Sequence, residues 1–513
     1  MNNTAFLRSL IIYAICVPVA IIVGYWAVSA AYSPTRSSLV LMGGVALALT
    51  TPIFLRWHHP LLVFCWNLPA SIFFLQGNPS VAFAMIGISL GISLLQRATN
   101  RNMRFIHAPQ ITLPLCVLIG VALVTAHFTG GIGLHSLGSD TMGGKRVVYL
   151  VAGLLGYFAL VARRIPSEKA HWYIALFFLP ACIGVVGDFV NVIPGWASYI
   201  YYVFPMNGYA RLGRLAGTGT ACTAIFTFML VRYGIREIFF GGKLWRMAVL
   251  ILAFCGIFFG GFRSAVALAA LVFTVQFFIE KLHRTKLLPL FLFFGIFGAT
   301  LCLPFANKLP APVQRALAWL PVKIDPLIKA DAQGSLDWRM DMWKALLPQV
   351  PQHLWLGKGY AITQEDWEVM SGSMGFRITN AAEQGLALAG DYHSGPLSVI
   401  LPLGIWGCIA VIWLFIAGGW ALHRNYRYGD DRLKTINIGL LTLFITHIIS
   451  FLFIFGDLAG DTVVFAGYLG LSISLNGGIC RKTAPAPVTQ PQPSGPHPLR
   501  PPRFQPAFSK QLR

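Results

Sequence analysis

Apolar stretches approaching about 20 residues, the length of helix that crosses a hydrocarbon core, recur along this chain with short polar breaks between them. They cover residues 10–31, 39–54, 61–75, 81–95, 111–128, 147–161, 172–186, 221–231, 247–262, 264–279, 287–303, 397–422, 436–455 and 462–475. Lipid offers no partner to a backbone N–H or C=O, so a spanning segment must satisfy its own groups, as a helix does. The alternating pattern of a membrane β-barrel is absent. The chain is therefore expected to be an all-α, polytopic integral membrane protein with about 14 transmembrane helices, about 12 at the lower bound. Two places bear on that count. The stretch at 61–75 is interrupted by Asn67 and Pro69, and the pair flanking Phe262 also reads as one long kinked helix.

Composition agrees with that class: 56% of the 513 residues are hydrophobic, 11% are charged, and the mean hydropathy is +0.66, far more apolar than a soluble chain. The basic residues set the orientation. Arg97/Arg101/Arg104, Arg163/Arg164/Lys169, Arg232/Arg236/Lys243/Arg246, Lys281/Arg284/Lys286 and Arg424/Arg427/Arg432/Lys434 fall in alternate loops. Basic loops stay in the cytoplasm, which predicts an inner-membrane protein with both termini cytoplasmic. The net charge of +21 follows from this bias and from anionic lipid. It is dispersed rather than gathered into an aromatic-lined groove, so nucleic acid is not an expected partner.

Residues 10–31 end in Ser29, Ala30 and Ala31, as a signal peptide would, but their apolar core is too long and the chain never turns soluble afterwards. Nine cysteines lie almost wholly in apolar segments without paired spacing and read as small hydrophobes. His58 and His59 read as interfacial anchors on the cytoplasmic side. From Thr483 the tail is proline-rich, basic and free of acids, hence expected to be disordered. Three parts follow: N-terminal transmembrane helices over 1–204, a second transmembrane domain over 205–480, and a cytoplasmic tail over 481–513.

Between residues 304 and 393 the apolar pattern lapses for about 90 residues, too long for a mere connection. On this topology the segment is a periplasmic loop. Within it, APVQRALAWL and LDWRMDMWKALLPQV read as short amphipathic helices, with Asp337 placed to cap the second. LWLGKGY then ends the helix with glycines on both sides of Lys358, and the acidic TQEDWEV reads as a solvated surface. Two smaller outward loops carry Arg211 and Arg214 (NGYARLGRLAGTGTACTA) and Arg263 (GGFRSAVALAAL). Positive-inside bias does not account for arginines on the outer face, and a boundary charge there is a functional candidate.

In order and spacing, RLAGTGTACTA, GGFRSAVALAAL, RMDMWKALLPQVPQHLWLGKGY and HSGPLSVILPLGIWG resemble the O-antigen ligase and O-antigen polymerase family of bacterial envelope glycosyltransferases. The likeness covers roughly residues 205 to 410, so the second part is expected to be an O-antigen ligase-like domain. Three positions depart from the family pattern and bear on the acceptor side. Ala221-Cys222-Thr223 stands for its usual Pro-Asn, Ser394 for its Asn after the histidine, and Pro402 for an acid.

The resemblance implies transfer of a glycan from a polyprenyl (undecaprenyl) diphosphate carrier to an acceptor hydroxyl at the periplasmic face, without a metal or other cofactor. The acceptor would be lipid A core for a ligase, or a second lipid-linked glycan for a polymerase. The residue types suit that chemistry. Arginine holds a diphosphate through paired, charge-assisted hydrogen bonds and keeps its proton, which assigns Arg214, Arg263 and Arg339 to the leaving group and makes Arg211 and Lys358 further donors. Histidine titrates near neutral pH, so His393 is the expected base, oriented by Asp391. Trp343 is either core of the outer segment or a platform for sugar. In-line displacement predicts inversion at C1.

A transporter or flippase is the competing class, but its proton or ion relay would have little to use beyond Asp188, Asp457 and Asp461. A metal-binding Asp-x-Asp, typical of soluble nucleotide-sugar transferases, does not occur.

Overall fold

The computed structural model describes residues 36–75, 78–100, 105–129, 143–189, 194–195, 200–204, 213–360 and 392–482. The chain divides into a unit spanning 1–480 and a second of 481–513. The described residues are helical, with one isolated β-bridge between Ser71 and Ser80 and no strand. In chain order the main helices are α1 (Arg36–Cys65), α2 (Val81–Thr99), α3 (Pro109–Thr129), α4 (Gly143–Val161) and α5 (Ala170–Phe178), which runs on as a 3-10 segment, Leu179–Phe189. Then come α6 (Ala216–Phe240), α7 (Leu244–Ile257), α8 (Arg263–Ile279), α9 (Leu287–Cys302), α10 (Ala311–Ala316) and α11 (Pro326–Leu346). Three long helices complete the unit: α12 (Gly395–Tyr428), α13 (Lys434–Phe453) and α14 (Leu458–Asn476).

Among the described residues six helical stretches are long and apolar enough to cross a membrane: Val81–Thr99, Pro109–Thr129, Ser167–Phe189, Gly395–Tyr428, Asp431–Phe453 and Leu458–Asn476. Shorter apolar helices lie within α4, α7, α8 and α9. Their outward faces are apolar: Leu252, Phe293, Ile416 and Phe453 are all largely exposed, an arrangement stable in lipid and not in water. The expected stretches from 81 onward each coincide with a helix. The stretches at 39–54 and 61–75 do not stay separate, because α1 runs through Pro52 and Pro60 to Cys65. The pair flanking Phe262 is two helices, since Gly261 adopts a left-handed φ of 68° and breaks the path between α7 and α8. The stretch at 10–31 lies outside the described residues.

Where a helix breaks inside the bundle, side chains of a neighbour satisfy the freed backbone, as lipid requires. At Gly234 of α6 (φ 72°, ψ 162°), the Glu280 carboxylate accepts from Ile235 N at 3.0 Å and Arg236 N at 3.1 Å. Gln276 donates to Leu230 O at 3.0 Å. His58 and His59 are buried, His58 Nδ1 meeting Ser89 Oγ at 2.9 Å and His59 Nε2 meeting Leu160 O at 2.9 Å. They pin α1 to α2 and α4 and are not interfacial anchors.

Between residues 304 and 393, α10 and α11 fall on the two expected amphipathic stretches, but α11 starts earlier. Pro326 at its first position and Asp325, which accepts from Leu327 N at 2.8 Å, supply the start signal. Asp337 is therefore interior to the helix, not its cap.

Candidate functional site

Four strands of geometry meet at the end of the bundle where α6, α8, α12 and α14 begin. The first is a tight corner. Leu215 N donates to Phe259 O at 3.0 Å, and Gly219 lies so close to Gly260 that a Cβ on it would sit 2.8 Å from the Gly260 Cα. This brings Arg214 against the Gly261 turn. Asp188 secures the start of α6, its carboxylate accepting from Gly217 N (2.9 Å), Thr218 N (2.6 Å) and Thr218 Oγ1 (2.8 Å). Those first-turn amides are thereby occupied, so anion binding at this corner falls to side chains.

The side chains converge on α11. Arg214 donates to Asp331 Oδ2 at 3.0 Å, and Arg315 of α10 donates through Nε to the same oxygen at 2.6 Å. Arg315 also donates to Gly261 O at 2.7 Å, and Arg263 donates to Ala332 O at 2.9 Å. Three guanidinium groups thus gather around one carboxylate, leaving the corner net positive. Arg315 is buried, while Arg214 and Asp331 are part-exposed.

Eight residues on, about 12 Å of helical rise, α11 presents Arg339. Its guanidinium lies over the Phe455 ring, 5.8 Å from the centroid. The His393 ring packs on the same Phe455 at 4.9 Å and on Trp338 at 5.4 Å. Arg339 and His393 therefore share one aromatic wall. His393 has a φ of 49°, a left-handed conformation costly for a residue with a side chain. The next residue, Ser394, flanks α12, and its carbonyl accepts from Ser398 N at 2.9 Å. Trp343 is fixed differently: its Nε1 donates to Tyr392 O at 2.7 Å, and it packs with Met342, Leu346, Leu397 and Leu401. It ties α11 to the start of α12 from the edge of that small core.

Lys358 belongs to a backbone lock. Gly404 (φ 63°, ψ −161°) breaks α12, and the segment 353–360 docks into the gap. Lys358 N donates to Leu401 O at 2.8 Å, Gly359 N to Pro402 O at 3.0 Å, and Ile405 N to Leu354 O at 2.7 Å. Gly357 takes a φ of 81°, and a Cβ there would strike the Pro402 carbonyl. The Lys358 ammonium reaches Gln349 Oε1 at 3.4 Å. Next to this lock Tyr360 is buried, which pushes its phenol well above its ordinary pKa, with the charge of Asp457 acting in the same direction.

Below the arginine corner lies a cavity of about 350 Å³. Trp66, Phe177, Phe262 and Leu268 give it apolar walls, and Thr220, Thr223 and His447 face it as well. His447 Nε2 meets Asp461 Oδ1 at 2.8 Å, and Asp461 Oδ2 accepts from Asp457 N at 2.7 Å. Asp457 in turn pairs with Arg146. Among the described residues no group of three or more His, Cys, Asp or Glu is placed to hold a metal ion.

Of the residues singled out in the sequence, Arg214 and Arg263 come together, and Arg339 and His393 come together. Trp343 and Lys358 hold backbone in place, and Arg211 and Asp391 lie outside the described residues. Sequence reading missed Arg315, Asp331 and Phe455. Arg315 stood in a stretch already read as an outward amphipathic helix, and an outward arginine was the signal used for its neighbours. Asp331 and Phe455 carried no local signal.

A helical bundle with apolar outward faces is the build of a membrane protein, and this one gathers arginines at one end. Residues 248–412 match the O-antigen ligase family. The match supports assigning the chain to the O-antigen ligase and polymerase family and, with the apolar helices, indicates a bacterial membrane protein. It spans Arg263, Arg315, Asp331, Arg339, Lys358 and His393 and stops short of Arg214. No curated protein matches the chain.

Proposed function

We propose that this protein is a metal-independent inverting glycosyltransferase that moves a glycan from a polyprenyl diphosphate to an acceptor hydroxyl at the periplasmic face, as an O-antigen ligase does. The observation that carries the proposal is the convergence of Arg214, Arg263 and Arg315 on the first two turns of α11, with Arg339 and His393 sharing Phe455 further along it.

In the reaction the acceptor oxygen forms a bond to C1 of the sugar as the bond from C1 to the diphosphate oxygen breaks. The electron pair departs with the diphosphate, and the hydroxyl proton passes to a ring nitrogen of His393. Charge grows on the leaving group as it departs, and preorganised guanidinium donors stabilise it by about 3 kcal/mol each. The apolar cavity beneath the corner suits the first isoprene units of the carrier. Asp457 and Asp461, which an ion-coupled transporter would need, are engaged by Arg146 and His447.

The test is purified protein with a defined polyprenyl-diphosphate oligosaccharide and separate acceptors, a lipid A core and a second lipid-linked oligosaccharide, reading product length. A single addition to the core is the ligase result, and a ladder would make the protein a polymerase. Arg263→Ala and Arg339→Ala are each expected to lower turnover about 100-fold. Absence of transfer to any acceptor by the unaltered protein would overturn the reading.

A further inference from the structure

At the opposite end of the bundle a second cavity of about 350 Å³ is lined by Arg56, Arg163, Arg164 and Lys169, with Trp57 and Tyr173 at its walls. It lies where α2 and α4 end and α5 begins, well away from the arginine corner. Positive-inside bias explains why cations are common at this end; it does not explain why four of them face one cavity.

Their partners sharpen the contrast. Among the described residues none of the four is paired with a carboxylate. Arg163 donates to the neutral Gln96 Oε1 at 2.9 Å, and the Arg56 guanidinium lies 6.0 Å from the Trp57 ring. Glu168, next in sequence to Lys169, is paired instead with Arg432 at 3.3 Å. Four cations gathered at one concavity repel one another unless an anion joins them.

The surroundings say what kind of anion. Leu49, Ile53 and Trp57 recur every four residues on α1 and are 59%, 56% and 53% exposed, so they form one apolar stripe that runs up to the cavity. Trp172, beside Tyr173, is also exposed, and such aromatics sit at headgroup depth. A free phosphate would use the cations and leave the stripe bare. We propose that this cavity binds the head group of an anionic phospholipid whose acyl chains lie along the Leu49–Ile53–Trp57 stripe of α1.

The experiment uses the full chain in nanodiscs of phosphatidylcholine, with or without phosphatidylglycerol, and reads retained lipid by native mass spectrometry together with the thermal midpoint. Retention of phosphatidylglycerol over phosphatidylcholine and a raised midpoint are expected. Arg56 and Lys169 are exposed and their side chains make no hydrogen bond among the described residues, so Arg56→Gln/Lys169→Gln should fold normally and weaken retention roughly 10- to 30-fold. Arg163→Gln/Arg164→Gln should weaken it as much. Lys243→Gln/Lys286→Gln, which removes the same charge from loops at the same end, should leave it unchanged. Equal loss in that control would reduce the effect to general surface charge and overturn the proposal. So would equal retention of the two lipids, or an equal rise in midpoint with inorganic phosphate alone.

Discussion

Asp331 accepts from two arginines through a single oxygen, at 2.6 and 3.0 Å, so it sets where their guanidinium planes lie. It also cancels one of the charges that would attract a diphosphate. These two effects separate on substitution. Asp331→Asn removes a negative charge, which favours donor binding, and loosens the arginines, which weakens stabilisation of the leaving group. A hydrogen bond to a charged group contributes about 1.5–3 kcal/mol, so kcat should fall about tenfold or more while KM for the donor does not rise. Steady-state kinetics over donor concentration check this; a raised KM with unchanged kcat would make Asp331 a binding residue only. His393 offers a second separation, because its φ of 49° suits glycine better than any other residue. His393→Gly and His393→Ala should both lose transfer, yet the glycine variant should be the more stable by about 1 kcal/mol, read as a higher thermal midpoint. Equal midpoints would mean that the left-handed backbone at this position stores no strain.

The elements themselves were largely legible, and the reason is physical: a run of apolar side chains in lipid has the helix as its one open-chain solution. What the runs do not carry is how a helix ends or breaks. The polar break between the stretches 39–54 and 61–75 reads as a boundary, but α1 continues across it, Pro52 and Pro60 included, since a helix in lipid that has neighbours can absorb a proline. Gly404 reads in sequence as a small residue for close helix packing; in space it breaks α12 and gives the GKG segment a place to dock. The candidate site shows the same division. Arg214, Arg263, Arg339 and His393 stood out by residue type and side of the membrane. Arg214 and Asp331, 117 residues apart, become partners only through the corner at Gly261. The lock is testable against another glycine between residues 304 and 393. Gly334 lies exposed in α11 with nothing within 4 Å of an added Cβ, so Gly334→Ala should stabilise the protein by about 0.5–1 kcal/mol. Gly357→Ala would drive a methyl group into the Pro402 carbonyl and should destabilise by more than about 3 kcal/mol, seen as early proteolytic cleavage between 346 and 360. Equal midpoints for the two variants would show that the GKG segment is not locked to α12.

For the molecule as a whole, the helix directions place two cation clusters at opposite ends. Arg214, Arg263 and Arg315 sit where α6 and α8 start, while Arg163, Arg164 and Lys169 sit past the end of α4. A donor presented from the periplasm can be used only if the first cluster faces outward, so orientation and function stand or fall together. Trp355 is 72% exposed on the segment that docks at the α12 break, and Lys243 is exposed between α6 and α7 at the far end. In a background with all nine native cysteines replaced, Trp355→Cys should react with a membrane-impermeant maleimide in intact cells whose outer membrane has been opened. Lys243→Cys should react only after the inner membrane is permeabilised. The reverse pattern would put the arginine corner in the cytoplasm and remove the basis for periplasmic transfer.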